Sequence, residues 1–165
     1  MKISKGKLSV IMPMYNAENI VENLREVSKI LSKINENYEI VLVNDGSKNN
    51  CLEEAKRFAK KNKKIMVRGY KQNKGKGSAL KYGFGFVSGD YVTFLDCGGD
   101  LDSNQIRNFI DIMQKENADV VIGSKKHPKS QVHYPLMRRI MSGVYRTMNR
   151  IMFKLDVKDT QVGLK

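Results

Sequence analysis

Four short stretches, residues 8–12 (LSVIM), 38–43 (YEIVLV), 91–95 (YVTFL) and 118–122 (ADVVI), are nearly unbroken apolar runs rather than alternations of apolar and polar residues. A strand of that kind is buried on both faces, and a sheet covered on both sides is the architecture that buries it. Residues 65–70 supply a further strand candidate. Between the runs lie segments of helical spacing. In residues 17–31 the apolar positions Ile20, Leu24, Val27 and Leu31 fall on one face, with Asn16 as the expected N-cap and Glu18 in the first turn. Residues 52–61, 77–87 and 105–116 also read as helices, the middle one despite three glycines. Strand and helix therefore alternate. The expected fold is α/β, a mostly parallel Rossmann-like sheet flanked by helices.

In such a sheet ligands bind beyond the carboxyl ends of the strands. The polar motifs fall there: PMYN after the first strand, NDGS after the second, DCGGD after the fourth and GSKK after the fifth. Each admits a bland reading beside a functional one. Asp45 in NDGS can accept hydrogen bonds from a base or ribose, or belong to an ordinary Asx-type turn. NKGKGSA, residues 73–79, opens a helix whose N–H groups suit phosphate, with Lys74 and Lys76 adding charge. It matches neither of the two standard glycine-rich phosphate loops, and serves equally well as a plain connection. In FLDCGGDLD, Asp96, Asp100 and Asp102 are carboxylates of the kind that Mg2+ and Mn2+ choose. Asp102 and Ser103 also suit the cap of the next helix, whereas Asp96, last on a buried strand, lacks an obvious structural task. His127 and His133 show no metal-ligand spacing, and no Ser/His/Asp or Cys/His arrangement is legible.

The 165 residues suffice for one domain with a real core. The formal charge of +13 suits polyanionic partners, whether anionic lipid, phosphorylated substrate or nucleic acid, or else a lysine-rich solvated surface. No nucleic-acid-binding signature accompanies the charge, so nucleic acid is not expected as a partner. The basic excess is uneven: residues 125–165 carry ten Lys and Arg against Asp156 and Asp159. Within them, residues 136–153 interleave Arg138, Arg139, Arg146 and Arg150 with apolar positions. That pattern fits a helix on an anionic membrane surface and, equally, a core-facing helix with a basic outer side. No apolar run reaches about 18 residues. The basic-then-apolar N-terminus reads as a strand rather than a signal peptide. Cys51 and Cys97, far apart and without CxxC spacing, suggest a reducing compartment and no zinc site.

Taken in order, PMYN, NDGS, NKGKGSA, FLD, VIGS, RR and DTQVGLK resemble the family 2 glycosyltransferases of GT-A fold, over residues 9–165 and nearest the branch that acts on dolichyl phosphate. The resemblance implies a GT-A nucleotide-diphospho-sugar transferase. Its donor would be GDP-mannose or UDP-glucose, its cofactor Mg2+ or Mn2+, and its acceptor a polyprenyl (dolichyl) phosphate. Hexose transfer would invert the anomeric carbon at the cytoplasmic face of a membrane, with the protein peripheral to it. It also implies site roles. Pro13 and Tyr15 would line the nucleotide, and Val43 and Asp45 would contact base and ribose. Asp96, Cys97 and Gly98 would occupy the DxD positions, with Asp96 and Asp100 on the metal, and Lys125 would face the donor. Residues 1–125 would form the donor half and 126–165 the basic, membrane-proximal acceptor segment, of a domain expected to continue past Lys165.

Two positions depart from the family pattern. Ala17 stands where PxYNE carries its glutamate, with Glu18 one residue later, and Gly98 stands at the second aspartate of DxD. These departures raise a second reading, a nucleotide- or lipid-phosphate-binding protein of the same fold with impaired catalysis.

Overall fold

The computed structural model of the chain describes residues 6–97 and 105–123, together with Thr147, Ile151 and Met152. The elements run β1 (Leu8–Met14), α1 (Ile20–Ile34), β2 (Tyr38–Asp45), α2 (Cys51–Ala59), β3 (Ile65–Tyr70), α3 (Lys76–Phe84), β4 (Tyr91–Phe94) and α4 (Gln105–Glu116). The strands pair in the order β3-β2-β1-β4, and every pairing is parallel. After β3 the chain crosses back over β1 to place β4 on its other side. The carboxyl ends of β1 and β4 thus border a topological switch point, where such sheets open into a crevice.

Side-chain parity along β1 and β2 explains the unbroken apolar runs. Leu8, Val10, Met12 and Met14 join Ile40 and Leu42 in a core packed by α1, α2 and α4. Ile11, Val41 and Val43 face the other way, against Ala79 and Leu80 of α3. Both faces of the sheet are covered, so both parities are mostly apolar, and the polar exceptions are hydrogen-bonded. On α1 the buried positions are Ile20, Leu24, Val27, Leu31 and Ile34, an alternation of four and three residues that keeps one stripe on the sheet.

Of the three glycines in the expected helix, Gly77 and Gly83 lie within α3 and Gly85 just past its end, and Gly83 has a packing reason. A Cβ built there would lie 2.6 Å from Ile11 Cγ2 and 3.0 Å from Val43 Cγ2. The missing side chain lets α3 approach the sheet closely.

Several local expectations need correction. Pro13 does not end β1, which continues to Met14 and stays in register with β2 at Pro13↔Val43. Odd-numbered β1 residues turn their backbone groups toward β4, as the Leu95 N–H to Ile11 carbonyl bond shows. Because β4 pairs only as far as Phe94↔Ile11, the imide nitrogen of Pro13 costs no ladder bond to β2. Asn16 is not the cap of α1. The helix begins at Ile20 after Asn19 in the left-handed region, which leaves Glu18 outside the first turn and Glu22 in it. The fifth strand expected at 118–122 does not form. Left-handed Asn117 ends α4, with the Ala118 N–H bonded to the Met113 carbonyl. The following residues face β4 across a cavity of about 450 Å³ that both line, and Val120 is 70% exposed.

At the amino ends of the strands, away from the switch point, a polar knot fastens three segments. The Glu39 carboxylate accepts hydrogen bonds from Lys7 Nζ, Ser9 Oγ, and the N–H and hydroxyl of Ser88. Ser9 is fully buried, and its hydroxyl also accepts the Gly89 N–H. Burial alone would raise the pKa of Glu39. The donors of Lys7, Ser9 and Ser88 together outweigh it and bring the value down from 4.5 to about 2.

Two outcomes follow from this packing. Gly83→Ala should destabilise the protein by about 1–3 kcal/mol in urea titrations, although alanine is the better helix former, because overpacking against Ile11 exceeds the propensity gain. An unchanged or higher midpoint would refute the close approach. Glu39 is depressed in the folded state, so its contribution is present above the unfolded value near 4.5 and is lost as pH falls toward 2. Glu39→Gln should therefore lower stability at pH 7 by at most about 3 kcal/mol and flatten the acid limb between those values, as read by melting temperature against pH.

Candidate active site

Each loop at the carboxyl edge of the sheet contributes to one cavity of about 670 Å³. After β1 come Tyr15, Asn16, Ala17, Glu18 and Asn19; β2 ends in Asp45; β3 leads to Asn73, Gly75 and Lys76; β4 leads to Asp96 and Cys97. Of the residues singled out from sequence, Pro13, Tyr15, Asp45, Asp96 and Cys97 line it. Tyr15 presents an exposed ring at its rim. Val43 does not reach it: it shares the strand parity of Asp45 but lies two residues before the carboxyl end of β2, where its side chain is fully buried against α3. Gly98, Asp100 and Lys125 lie outside the described residues, as do Asp102, Ser103, His127, His133 and the DTQVGLK stretch.

The loops are held to one another chiefly through asparagines and one aspartate. Asn44 Oδ1 accepts the Ser47 N–H and closes the Asx-type turn expected of NDGS. Asp45 is thereby free for another partner. Its Oδ1 accepts the Lys74 N–H at 2.8 Å and its Oδ2 the Gly75 N–H at 3.0 Å, and the residue is 3% exposed. Two N–H groups of the NKGKGSA loop therefore grip a carboxylate of the protein, in charge-assisted bonds. Gly46 (φ +72°) lets that loop close down: a Cβ there would meet Asn73 N at 2.5 Å and Gln72 C at 2.6 Å. Asn16 spans to the neighbouring turn, its N–H donating to Ser47 Oγ and its Oδ1 accepting the Lys48 N–H. From α1, Asn23 Nδ2 donates to the Cys97 carbonyl at 2.6 Å and sets the course of the chain just past Asp96.

The titratable groups have distinct states. Cys97 is buried, and burial first, then the charges of Asp96 and Cys51, push its thiol up to about 12. It stays a neutral thiol at physiological pH and is not a nucleophile. Burial and then the neighbouring Asp45 carboxylate push the Tyr70 hydroxyl up to about 12. The Lys74 ammonium lies over the Tyr70 ring at 5.1 Å. Asp96 is different in kind: its carboxylate stands at the cavity wall, 36% exposed, with Lys76 Nζ 2.6 Å from Oδ1 and 2.8 Å from Oδ2.

Among the described residues no group of three or more His, Cys, Asp or Glu side chains is placed to hold a metal ion. Mg2+ and Mn2+ need less than that when substrate phosphates and water complete the shell, with one or two carboxylates from the protein. Asp96 offers both oxygens at the cavity wall and fits that role. The pairing of Lys76 with Asp96 was not legible in the sequence, where Lys76 was one of two loop lysines twenty positions from its partner. Asn73, Asn16 and Asn19 were equally unmarked as cavity residues.

The chain is similar to known proteins in both sequence and fold. Dolichyl-phosphate beta-glucosyltransferase of Saccharomyces cerevisiae is 30% identical over 96% of the chain and 53% of its own length. That of Dictyostelium discoideum is 28% identical, with the same coverage. The chain spans about half the length of these curated relatives. Among solved structures, mannosyltransferase PcManGT of Pyrobaculum calidifontis, in complex with GDP-Man and Mn2+, superposes with a TM-score of 0.58 at 18% identity. It covers 67% of this chain and 33% of its own. Staphylococcus aureus TarS 1-349 in complex with UDP-GlcNAc superposes with a TM-score of 0.53 at 24% identity, over 67% and 32%. These neighbours share the GT-A fold. The profile described as glycosyl transferase family 2 matches residues 9–162, and the chain belongs to that family.

Proposed function

We propose that the cavity at the carboxyl edge of the sheet binds a nucleotide-diphosphate sugar, and that the protein transfers its hexose to a polyprenyl (dolichyl) phosphate with inversion. One observation carries this reading. Four parallel strands direct their loops into a single cavity, and the carboxylate just past the fourth, Asp96, stands at its wall. Glucose is favoured over mannose by the names of the curated relatives, whereas the structural neighbours divide between GDP and UDP donors. Pro13 and Tyr15 would border the nucleotide. Asp45 has lone pairs beyond the two used by Lys74 and Gly75, and would offer them to base or ribose. Residues 1–125 would form the donor half, with Gly98 and Lys125 near the diphosphate. Residues 126–165 would form the acceptor segment on an anionic membrane at its cytoplasmic face. Thr147, Ile151 and Met152, described within that stretch, are helical, and all three side chains are exposed. Among the described residues no helix is long and apolar enough to cross a membrane.

Transfer to a phosphate needs no strong general base, because the acceptor oxygen is already anionic near neutral pH. It attacks the anomeric carbon as the bond from that carbon to the diphosphate oxygen breaks, and the nucleoside diphosphate departs with the electron pair. Charge compensation at the leaving group and alignment are the main demands. A divalent cation bound at Asp96, with Asp100, would supply Lewis-acid charge there. The chain itself supplies the walls that orient the donor, the ammonium of Lys76, and the loop that Asp45 holds in place. The neutral Cys97 thiol is consistent with direct displacement rather than a covalent enzyme intermediate.

A second reading, a binding protein with impaired catalysis, is favoured by Ala17, which lines the cavity at the position where the family pattern has glutamate. Transfer of radiolabelled hexose to dolichyl phosphate would dismiss it.

The donor reading predicts that UDP or GDP, or one of their sugars, raises the melting temperature in the presence of Mn2+. At a ligand concentration of about 100 Kd the stabilisation is about 2.7 kcal/mol, hence a shift of about 5–10 °C. Asp96→Ala should abolish the metal-dependent part of the shift while leaving the unliganded melting temperature nearly unchanged, since the ion pair it removes is half exposed. No shift with any nucleotide across a metal series would overturn the reading. Asp45→Ala orphans two backbone N–H groups, and should cost about 1–3 kcal/mol of stability and also weaken nucleotide binding by calorimetry. Unimpaired binding would show that the loop it holds is not part of the site.

A further inference from the structure

We propose that Lys76 is the resident cation of the Asp96 carboxylate. On this view its ammonium holds the place that a divalent ion takes, and moves onto the donor diphosphate when that ion arrives. The inference rests on the donor-site reading above and assigns Lys76 a role in ordering the binding events.

The geometry of the pair is the starting point. Lys76 Nζ lies within hydrogen-bond distance of both Asp96 oxygens, at 2.6 and 2.8 Å, and so covers the carboxylate edge that a metal ion would approach. Lys76 and Asp96 both line the cavity, and the pair is accessible, with side chains 49% and 36% exposed. An exposed ion pair of this kind is weak, so a divalent ion can displace it. An ammonium and a divalent cation cannot share one carboxylate edge without strong repulsion. Binding of one therefore evicts the other.

The backbone decides where the evicted side chain can go. Lys76 is the first residue of α3, directly after Gly75, and the N–H groups of Lys74 and Gly75 are anchored on buried Asp45. The root of the side chain is thus fixed at the cavity wall, while its four-carbon stem remains free to rotate. Gly75 also lines the cavity, so the ammonium stays within reach of whatever fills it. Lysine suits this use better than arginine: a compact point charge can leave a carboxylate and approach a phosphate without matching a planar fork. An anionic diphosphate is the partner that would receive it. The metal-free site is in this way kept neutral at Asp96, and the loaded site gains a positive charge at the leaving group.

The test separates metal from nucleotide. Mn2+ alone is titrated at low ionic strength into wild type, Lys76→Met and Lys76→Arg, followed by electron paramagnetic resonance. UDP and GDP are then titrated calorimetrically, with and without saturating Mn2+. Lys76→Met should bind Mn2+ about two- to fivefold more tightly than wild type, the worth of an exposed ion pair. It should bind the nucleotide, at saturating Mn2+, about tenfold more weakly for loss of a charged hydrogen bond. Lys76→Arg should keep wild-type Mn2+ affinity, since the competing charge remains. Equal or weaker Mn2+ binding by Lys76→Met would overturn the exchange, as would nucleotide binding by wild type that is indifferent to Mn2+. Unchanged nucleotide affinity in Lys76→Met would overturn the transfer to diphosphate. Failure of wild type to bind either nucleotide overturns the donor-site reading itself, and is distinguishable because the Mn2+ titrations do not depend on nucleotide.

Discussion

The position of β1 at the centre of a parallel sheet is the constraint from which the rest follows. A strand hydrogen-bonded on both edges and packed on both faces has no tolerance for polar side chains except in a fully satisfied group, and Ser9 is the case in point. Because β2 and β4 lie on opposite sides of β1, the loops leaving its carboxyl end and that of β4 diverge. The crevice between them is a product of chain topology rather than of any single side chain. Everything chemically interesting is then a question of which residues the loops bring to that crevice.

The fold was largely readable in the sequence because burial on both faces leaves a signal that depends on no partner beyond the sheet. α4 and β3 have the bounds expected of them, and the two-sided apolar runs of β1 and β2 lie where the pattern put them. The misreadings came from places where one residue's role is set by a distant one. Asn16 looks like a helix cap by its position before an amphipathic run, yet its side chain is engaged by Lys48 and its backbone by Ser47. Residues 118–122 have the composition of a buried strand, but composition does not provide a partner edge, and a cavity separates them from β4. Pro13 looks like a strand terminator, and is tolerated because of which neighbour its nitrogen faces.

The site was legible in part for the same reason. Strand ends announce where a site must be, so Asp45 and Asp96 could be named from their positions, whereas Pro13, Tyr15 and Cys97 were named through the family resemblance; all five line the cavity. What they do is less visible. Asp45 reads as a ligand contact, but two of its bonds are to backbone N–H groups 29 and 30 residues away. Val43 is on the same side of β2 as Asp45 and yet belongs to the core, since two residues back from the strand end α3 covers that face. Electrostatics hides a further layer. With 30 Lys and Arg in the chain, no count of charges singles out Lys76, which meets Asp96, from the rest.

The contact between Gly46 and residues 71–73 has a consequence for how such chains diverge. Two loops separated by a helix and a strand share one tight surface, with no room for a single added carbon. Neither loop can change length or shape independently. They are inherited as a matched pair, and exchange of either one with a relative's requires exchange of the other.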